Sequence, residues 1–171
     1  LKLTPSTVLG SCRLRLKNPE ESEEQYKKIL EVFESLDIGA FFYIGGNDSM
    51  DTVLKLSDYF KSVGKDIKVM GIPKTIDNDL VLTDHTPGFG SAAKYIATTV
   101  AEIIRDSQVY ALTSVTVIEI MGRDAGWLTA ATSVLRRMGE EAPHLIYLPE
   151  VPVTKEQILE EIKDAHNHHK A

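Results

Sequence analysis

Cysteine is almost missing from this chain: Cys12 is the only one in 171 residues. That excludes a disulfide framework and suits a reducing compartment. Positive charge is in the minority, with 19 Lys and Arg against 25 Asp and Glu and a formal net charge of −6. A nucleic-acid or membrane-surface partner held by bulk charge is therefore not expected, although local basic groups remain able to bind phosphates. No apolar run approaches the roughly 20 residues of a membrane span, and no signal-peptide pattern opens the chain. The expected location is the cytoplasm. What is present is ordinary for a globular protein: 43% hydrophobic residues, enough for a sizeable core in one or two domains.

Apolar runs and glycines set the organisation. After a β-leaning start, Gly10-Ser11-Cys12-Arg13 forms a small-residue turn that delivers an arginine, either as a surface charge or aimed at an anion. Asn18 and Pro19 read as the cap and first turn of a helix with Tyr26, Ile29, Leu30, Phe33 and Leu36 on its apolar face. Gly39 ends it. Ala40-Phe41-Phe42-Tyr43-Ile44, a short continuous apolar run, predicts a strand covered on both faces. A helix from Ser49 or Met50 to about Lys61 follows the turn Gly45-Gly46-Asn47-Asp48-Ser49. Residues 67–72 predict a second strand, and a long amphipathic helix from Ser91 to about Val109 carries Tyr95, Ile96, Val100, Ile103 and Ile104. Residues 114–120 and 144–148 predict third and fourth strands. Between them a helix from about Ala125 to Met138 has Trp127, Leu128 and Leu135 as candidate buried residues. Thr154 with Gln157 makes a capping box for a final helix. This alternation predicts an α/β fold, with parallel sheets flanked by helices in a Rossmann-like three-layer arrangement and parts of two similar α/β domains.

Polar groups recur at the strand ends, where ligands bind in open α/β sheets. The first strand ends in Gly46-Asn47-Asp48, where glycines allow close backbone approach and a helix N-terminus favours anions. The second ends in Gly71-Ile72-Pro73-Lys74-Thr75-Ile76-Asp77-Asn78-Asp79, with two carboxylates two residues apart. The third ends in Met121-Gly122-Arg123 and the fourth at Glu150. Taken singly, each reads equally well as a capped turn. Together they offer cations and amides for anionic oxygens, and carboxylates to take a proton or hold magnesium, as phosphoryl transfer requires. Gly88-Phe89-Gly90-Ser91-Ala92-Ala93 matches the dinucleotide fingerprint in letters only, because no strand precedes it. His166, His168 and His169 read as a solvated helix end rather than a metal site.

At these residues the sequence resembles the phosphofructokinases, in motif order and approximate spacing over nearly the whole chain. The resemblance implies phosphoryl transfer to the 1-hydroxyl of fructose 6-phosphate, with Mg2+ as cofactor and a homo-oligomer as the assembled state. Asp77 matches the general base and Asp79 the acid that supports it and the metal. Thr75 matches a residue beside the transferred phosphoryl group, and Ile76 a neighbour in the same substrate segment. Met121, Gly122 and Arg123 match the segment on the sugar phosphate, and Glu150 the acid on sugar hydroxyls. Arg13, Gly46, Asn47, Asp48, Ser49 and Lys74 match donor-binding positions. Asp48 and Lys74 are the pair of the pyrophosphate-using branch, so pyrophosphate is the expected donor and ATP the alternative. Asn47 stands where the family usually has a metal-associated aspartate, and a neutral amide is a poorer ligand for a hard cation. Ser114 replaces an arginine of the ATP-dependent branch. The motifs expected before and after this stretch are not in it, so it resembles the middle of a phosphofructokinase, with residues 1–87 in the donor domain and 88–171 in the fructose 6-phosphate domain. The piece by itself is expected to be inactive.

Two competitors remain. Nicotinamide-dinucleotide and diacylglycerol kinases share a glycine-glycine-acid turn but do not account for residues 74–79 together with 121–123. A non-catalytic binding or regulatory subunit of the same fold has Asn47 as its only support.

Overall fold

The computed structural model describes Leu3 and residues 10–168. The β-leaning opening and His169 lie outside the described residues. The chain groups into two compact units, Leu1–Pro73 and Lys74–Ala171.

The first unit is a βαβ element with one more helix against it. Helix α1 (Pro19–Ser35) starts where Asn18 and Pro19 predict. Asn18 caps through its backbone carbonyl, which accepts from the Glu21 and Ser22 amides. Strand β1 (Ala40–Gly45), helix α2 (Asn47–Ser62) and strand β2 (Lys68–Pro73) follow. The two strands are parallel, with Ala40 opposite Lys68 and Gly45 opposite Pro73. Gly71 lets α2 seat on the sheet: a Cβ there would lie 2.6 Å from the Met50 sulfur.

The core of this unit joins Leu16, Tyr26, Phe33, Leu56, Tyr59 and Phe60 with the half-buried Phe41 and Val69. Tyr26 is buried with its hydroxyl donating to the Lys17 carbonyl. Burial pushes that hydroxyl's pKa up, assisted by the charges of Asp51 and Glu20. Phe60 is fully buried and its ring centroid lies 5.7 Å from that of Phe33. Truncating it leaves a cavity the neighbours only partly fill, so Phe60→Ala is expected to remove about 3–5 kcal/mol of stability. Urea unfolding followed by far-ultraviolet circular dichroism measures it, and a loss under about 1 kcal/mol would mean that the core repacks around the gap.

Two details differ from the sequence expectation. Leu36 is exposed rather than part of the apolar face, because α1 ends at Ser35 and Leu36 caps it. The strands are covered on one face only: Phe41, Tyr43 and Val69 are half-buried, while Phe42, Ile44, Met70 and Ile72 are exposed.

In the second unit, helix α3 (Phe89–Gln108) is followed by two short helices, α4 (Trp127–Ala131) and α5 (Val134–Arg137), and then α6 (Lys155–His168). Val100 and Ile104 of α3 pack with Leu135 and Ala142. Tyr95 is exposed, set off the stripe that faces that cluster. The capping box forms as the spacing predicts, with the Thr154 amide donating to Gln157 at 2.8 Å and the Gln157 amide to the Thr154 hydroxyl at 3.2 Å. Tyr147 donates to Glu161 across 2.8 Å and ties residues 144–148 to α6. Partial burial and then that carboxylate push the Tyr147 pKa up to about 12.

Residues 114–120 and 144–148 are not strands among the described residues. Both lie along one cavity of about 470 Å³, also lined by Val100, Ile104 and Ile162, but no ladder pairs them. The helix expected over residues 125–138 is interrupted at Thr132 and Ser133. There the Thr132 hydroxyl donates to the Thr129 carbonyl at 2.7 Å, and amides bond three rather than four residues back. A side chain competing for helix carbonyls weakens the regular ladder in this way. Leu128 and Leu135 are buried as expected, whereas Trp127 sits at the solvent-facing start of α4 and is exposed.

Candidate active site

In the first unit, the carboxyl end of β1 passes directly into α2. Gly46 is the N-cap, without a side-chain cap bond, and its carbonyl accepts from the Ser49 and Met50 amides. Asn47 and Asp48 therefore occupy the first helical turn rather than preceding it, and both are exposed. Asp48 is placed where a negative charge complements the helix dipole. Ser49 lies over Gly45: a Cβ on that glycine would meet the Ser49 hydroxyl at 2.0 Å. Arg13 is exposed, in an irregular stretch.

The second unit begins with the acidic loop, and hydrogen bonds within the loop shape it. The Asp77 amide donates to the Thr75 hydroxyl at 3.0 Å. Asn78 is buried and has a left-handed backbone, φ 59°. Its side chain donates to the Asp84 carbonyl at 3.1 Å and accepts from the Thr86 amide at 2.9 Å. Asp77 is half-buried, and its Oδ1 is buried without a hydrogen-bond partner, as is the Thr86 hydroxyl. Buried acceptors are nearly always paired, so an orphan carboxylate oxygen is a place where a donor is missing. Lys74, Ile76 and Asp79 are exposed and Thr75 is half-buried.

The segment 121–126 and Glu150 are also brought together. Gly122 has φ 144°, and a Cβ there would stand 2.3 Å from the Ala125 carbonyl oxygen. Only glycine makes this turn, which leaves Met121 and Arg123 exposed on either side. Gly126 caps α4, its amide donating to Glu150 Oε1 at 2.7 Å. A side chain at 126 would collide with Glu150 Oε2 at 2.7 Å and with Leu148. One Glu150 oxygen is thus engaged by the start of α4, three residues after Arg123. The sequence places Asn78 in its polar loop and Gly126 at the end of its turn but assigns neither a role. The available signals were a glycine at a helix start and an asparagine between two acids, a residue type that tolerates left-handed backbone.

Among the described residues no group of three or more His, Cys, Asp or Glu side chains gathers to hold a metal. His168 instead meets the Asp164 carbonyl of its own helix. The stretch before Gly88 is turn structure, and Gly88 has φ 94° as the cap of α3, so the fingerprint-like letters do not follow a strand.

The parallel βαβ unit, with a glycine-capped helix after its first strand and a Lys-Thr-x-Asp-Asn-Asp sequence after its second, defines an α/β protein. The phosphofructokinase family model matches residues 2–171. A pyrophosphate–fructose 6-phosphate 1-phosphotransferase of Halomonas elongata is 42% identical over 167 residues, covering 96% of this chain and 40% of that protein. One of the same name from Methylococcus capsulatus is 45% identical over 166 residues, with the same coverage of 96% and 40%. The crystal structure of a pyrophosphate-dependent phosphofructokinase from Marinobacter aquaeolei superposes with a TM-score of 0.77 at 43% identity, over 96% of this chain and 40% of that one. The chain belongs to the phosphofructokinase family. It spans about 40% of the length of these relatives.

Proposed function

We propose that the whole protein transfers a phosphoryl group from pyrophosphate to the 1-hydroxyl of fructose 6-phosphate, giving fructose 1,6-bisphosphate and phosphate. The observation that carries this is the buried, unpartnered Oδ1 of Asp77 in a loop held by its own hydrogen bonds. An acceptor kept in place and left without a donor is what a general base for a hydroxyl requires. Asp77 takes the proton as the sugar oxygen bonds to phosphorus and the bridging oxygen leaves with the departing phosphate. Thr75 and Ile76 line the path of the transferred group. Arg123, with Met121 and Gly122, neutralises the sugar phosphate and the charge that develops on the moving group. Glu150 orients sugar hydroxyls through the oxygen not bonded to Gly126. On the donor side, Arg13, Lys74 and the amides at Gly46, Asn47 and Ser49 hold pyrophosphate, and the Asp48 carboxylate repels the longer phosphate chain of a nucleotide. In this reading the donor domain extends to residue 87.

Magnesium fits the donor set. A hard cation that takes one or two carboxylates and fills its shell with phosphate oxygens and water suits Asp79. When bound it would neutralise charge on the pyrophosphate oxygens. Asn47 offers only an amide oxygen. No described helix is long and apolar enough to cross a membrane, and an exposed free thiol at Cys12 suits a cytoplasmic enzyme. A homo-oligomer is the proposed assembly.

The test is phosphorylation of fructose 6-phosphate by the whole protein with magnesium, pyrophosphate and ATP being run side by side. Turnover with pyrophosphate and less than a tenth of it with ATP is expected. The reverse preference would overturn the donor assignment, and no turnover with either donor would leave a binding subunit of the same fold.

A further inference from the structure

The acidic loop has a device that the catalytic roles above do not use. Asn78 spans it with two hydrogen bonds from one buried amide group, to the Asp84 carbonyl and from the Thr86 amide. Both ends of its side chain are therefore satisfied, and its exposure is only 8%. The far end of this strap leads straight into α3: the Phe89 amide donates to the Thr86 carbonyl at 3.1 Å. Ile76, just before Asp77, lies against Gly88, where a Cβ would come within 3.3 Å of its methyl group. Asp77 is thus bracketed. Its own amide is held by Thr75, and the residue after it is held by Asp84 and Thr86, just ahead of a 20-residue helix.

Asparagine tolerates left-handed backbone but does not by itself select it over other conformations. At Asn78 the strap holds it, and the backbone there sets the direction in which the preceding residue's carboxylate points. The side chain is buried and engaged at both ends within the loop. We propose that Asn78 is a positioning residue: its amide ties the 77–86 loop closed on itself just ahead of α3 and so fixes the Asp77 carboxylate for proton transfer. This rests on the phosphotransferase reading given above.

Asn78→Gly tests it, because glycine adopts φ 59° without steric cost while both side-chain bonds disappear. In the whole protein, kcat with pyrophosphate is expected to fall about a hundredfold, as small misplacements of reacting groups do. The KM for fructose 6-phosphate should stay within about threefold, since no sugar contact is altered. Calorimetric stoichiometry of fructose 6-phosphate binding should remain that of the wild type, and amide hydrogen exchange at Thr86 should accelerate. A residue needed only for folding would lower the stoichiometry in step with kcat, and that result would overturn the proposal. So would an Asn78→Gly enzyme within twofold of wild-type kcat. If the glycine variant does not fold, Asn78→Ser carries the test: it is neutral and small, it loses the span to both Asp84 and Thr86, and again kcat should fall at unchanged KM. Failure of the underlying reading is told apart by the wild type, whose silence with both donors would remove the positioning role along with the reaction.

Discussion

Asp77→Asn in the whole protein is expected to lower kcat for phosphoryl transfer to fructose 6-phosphate by about 10²–10⁴, the usual contribution of a positioned general base. The substitution is isosteric, and the hydrogen bond that shapes this part of the loop comes from the Asp77 backbone amide to Thr75. It survives the change, as do both bonds of Asn78. What is lost is an oxygen able to take a proton, and an amide nitrogen placed at Oδ1 presents a donor to the sugar hydroxyl instead. KM should change little, because the base acts as the transition state forms rather than on the bound ground state. Steady-state kinetics at saturating pyrophosphate, beside calorimetric binding of fructose 6-phosphate, separate the two parameters. Retention of more than a tenth of wild-type kcat would exclude Asp77 as the base and shift attention to Asp79, which is exposed at the mouth of the same loop.

Exchanging the donor pair should have a comparable effect with a change of sign between donors. Lys74→Gly removes an exposed cation that directly follows β2. With pyrophosphate its loss should cost about 10²–10³ in kcat/KM, the range for one electrostatic contact to a reacting phosphate. Asp48→Gly relieves crowding and repulsion at the first turn of α2, so the double variant should gain turnover with ATP while losing it with pyrophosphate. Measuring both donors on the single and double variants makes a cycle in which any coupling between the two positions is read directly. Undiminished pyrophosphate turnover in Lys74→Gly would remove Lys74 from the donor site.

What the sequence disclosed and what it withheld divide along physical lines. β1 and β2 were legible because each is a short apolar run closed by glycine or proline, and each has the other to pair with. Residues 114–120 carry an equally strong β-branched pattern, yet they form no ladder among the described residues. Composition reports how well a segment suits a sheet, and the partner strand decides whether it joins one. The helix over 125–138 was read as continuous from its apolar spacing. Its interruption depends on where one threonine hydroxyl turns, which periodicity does not register. Trp127 and Tyr95 read as core residues because they are large and apolar, but each falls off the stripe its helix buries. The polar motifs after the apolar runs singled out Asp77, Arg123 and Glu150 as candidates without any coordinates. The sequence did not reveal the supports beneath them: Asn78 bonds to residues six and eight positions on, and Gly126 accommodates a carboxylate 24 positions away. Contacts of that kind leave no local pattern.

Gly45 opposite Pro73 puts the two poorest continuations of a sheet on the same rung. Proline has no N–H to offer another rung, and glycine adds no side chain to hold one. The ladder therefore stops level on both strands, and Asn47, Asp48, Lys74 and Thr75 lie beyond it. Substitutions there leave every rung intact. A lineage could exchange one phosphoryl donor for another by altering these few positions while its folding stability stayed nearly constant, so that energy currency and architecture would evolve as separate traits.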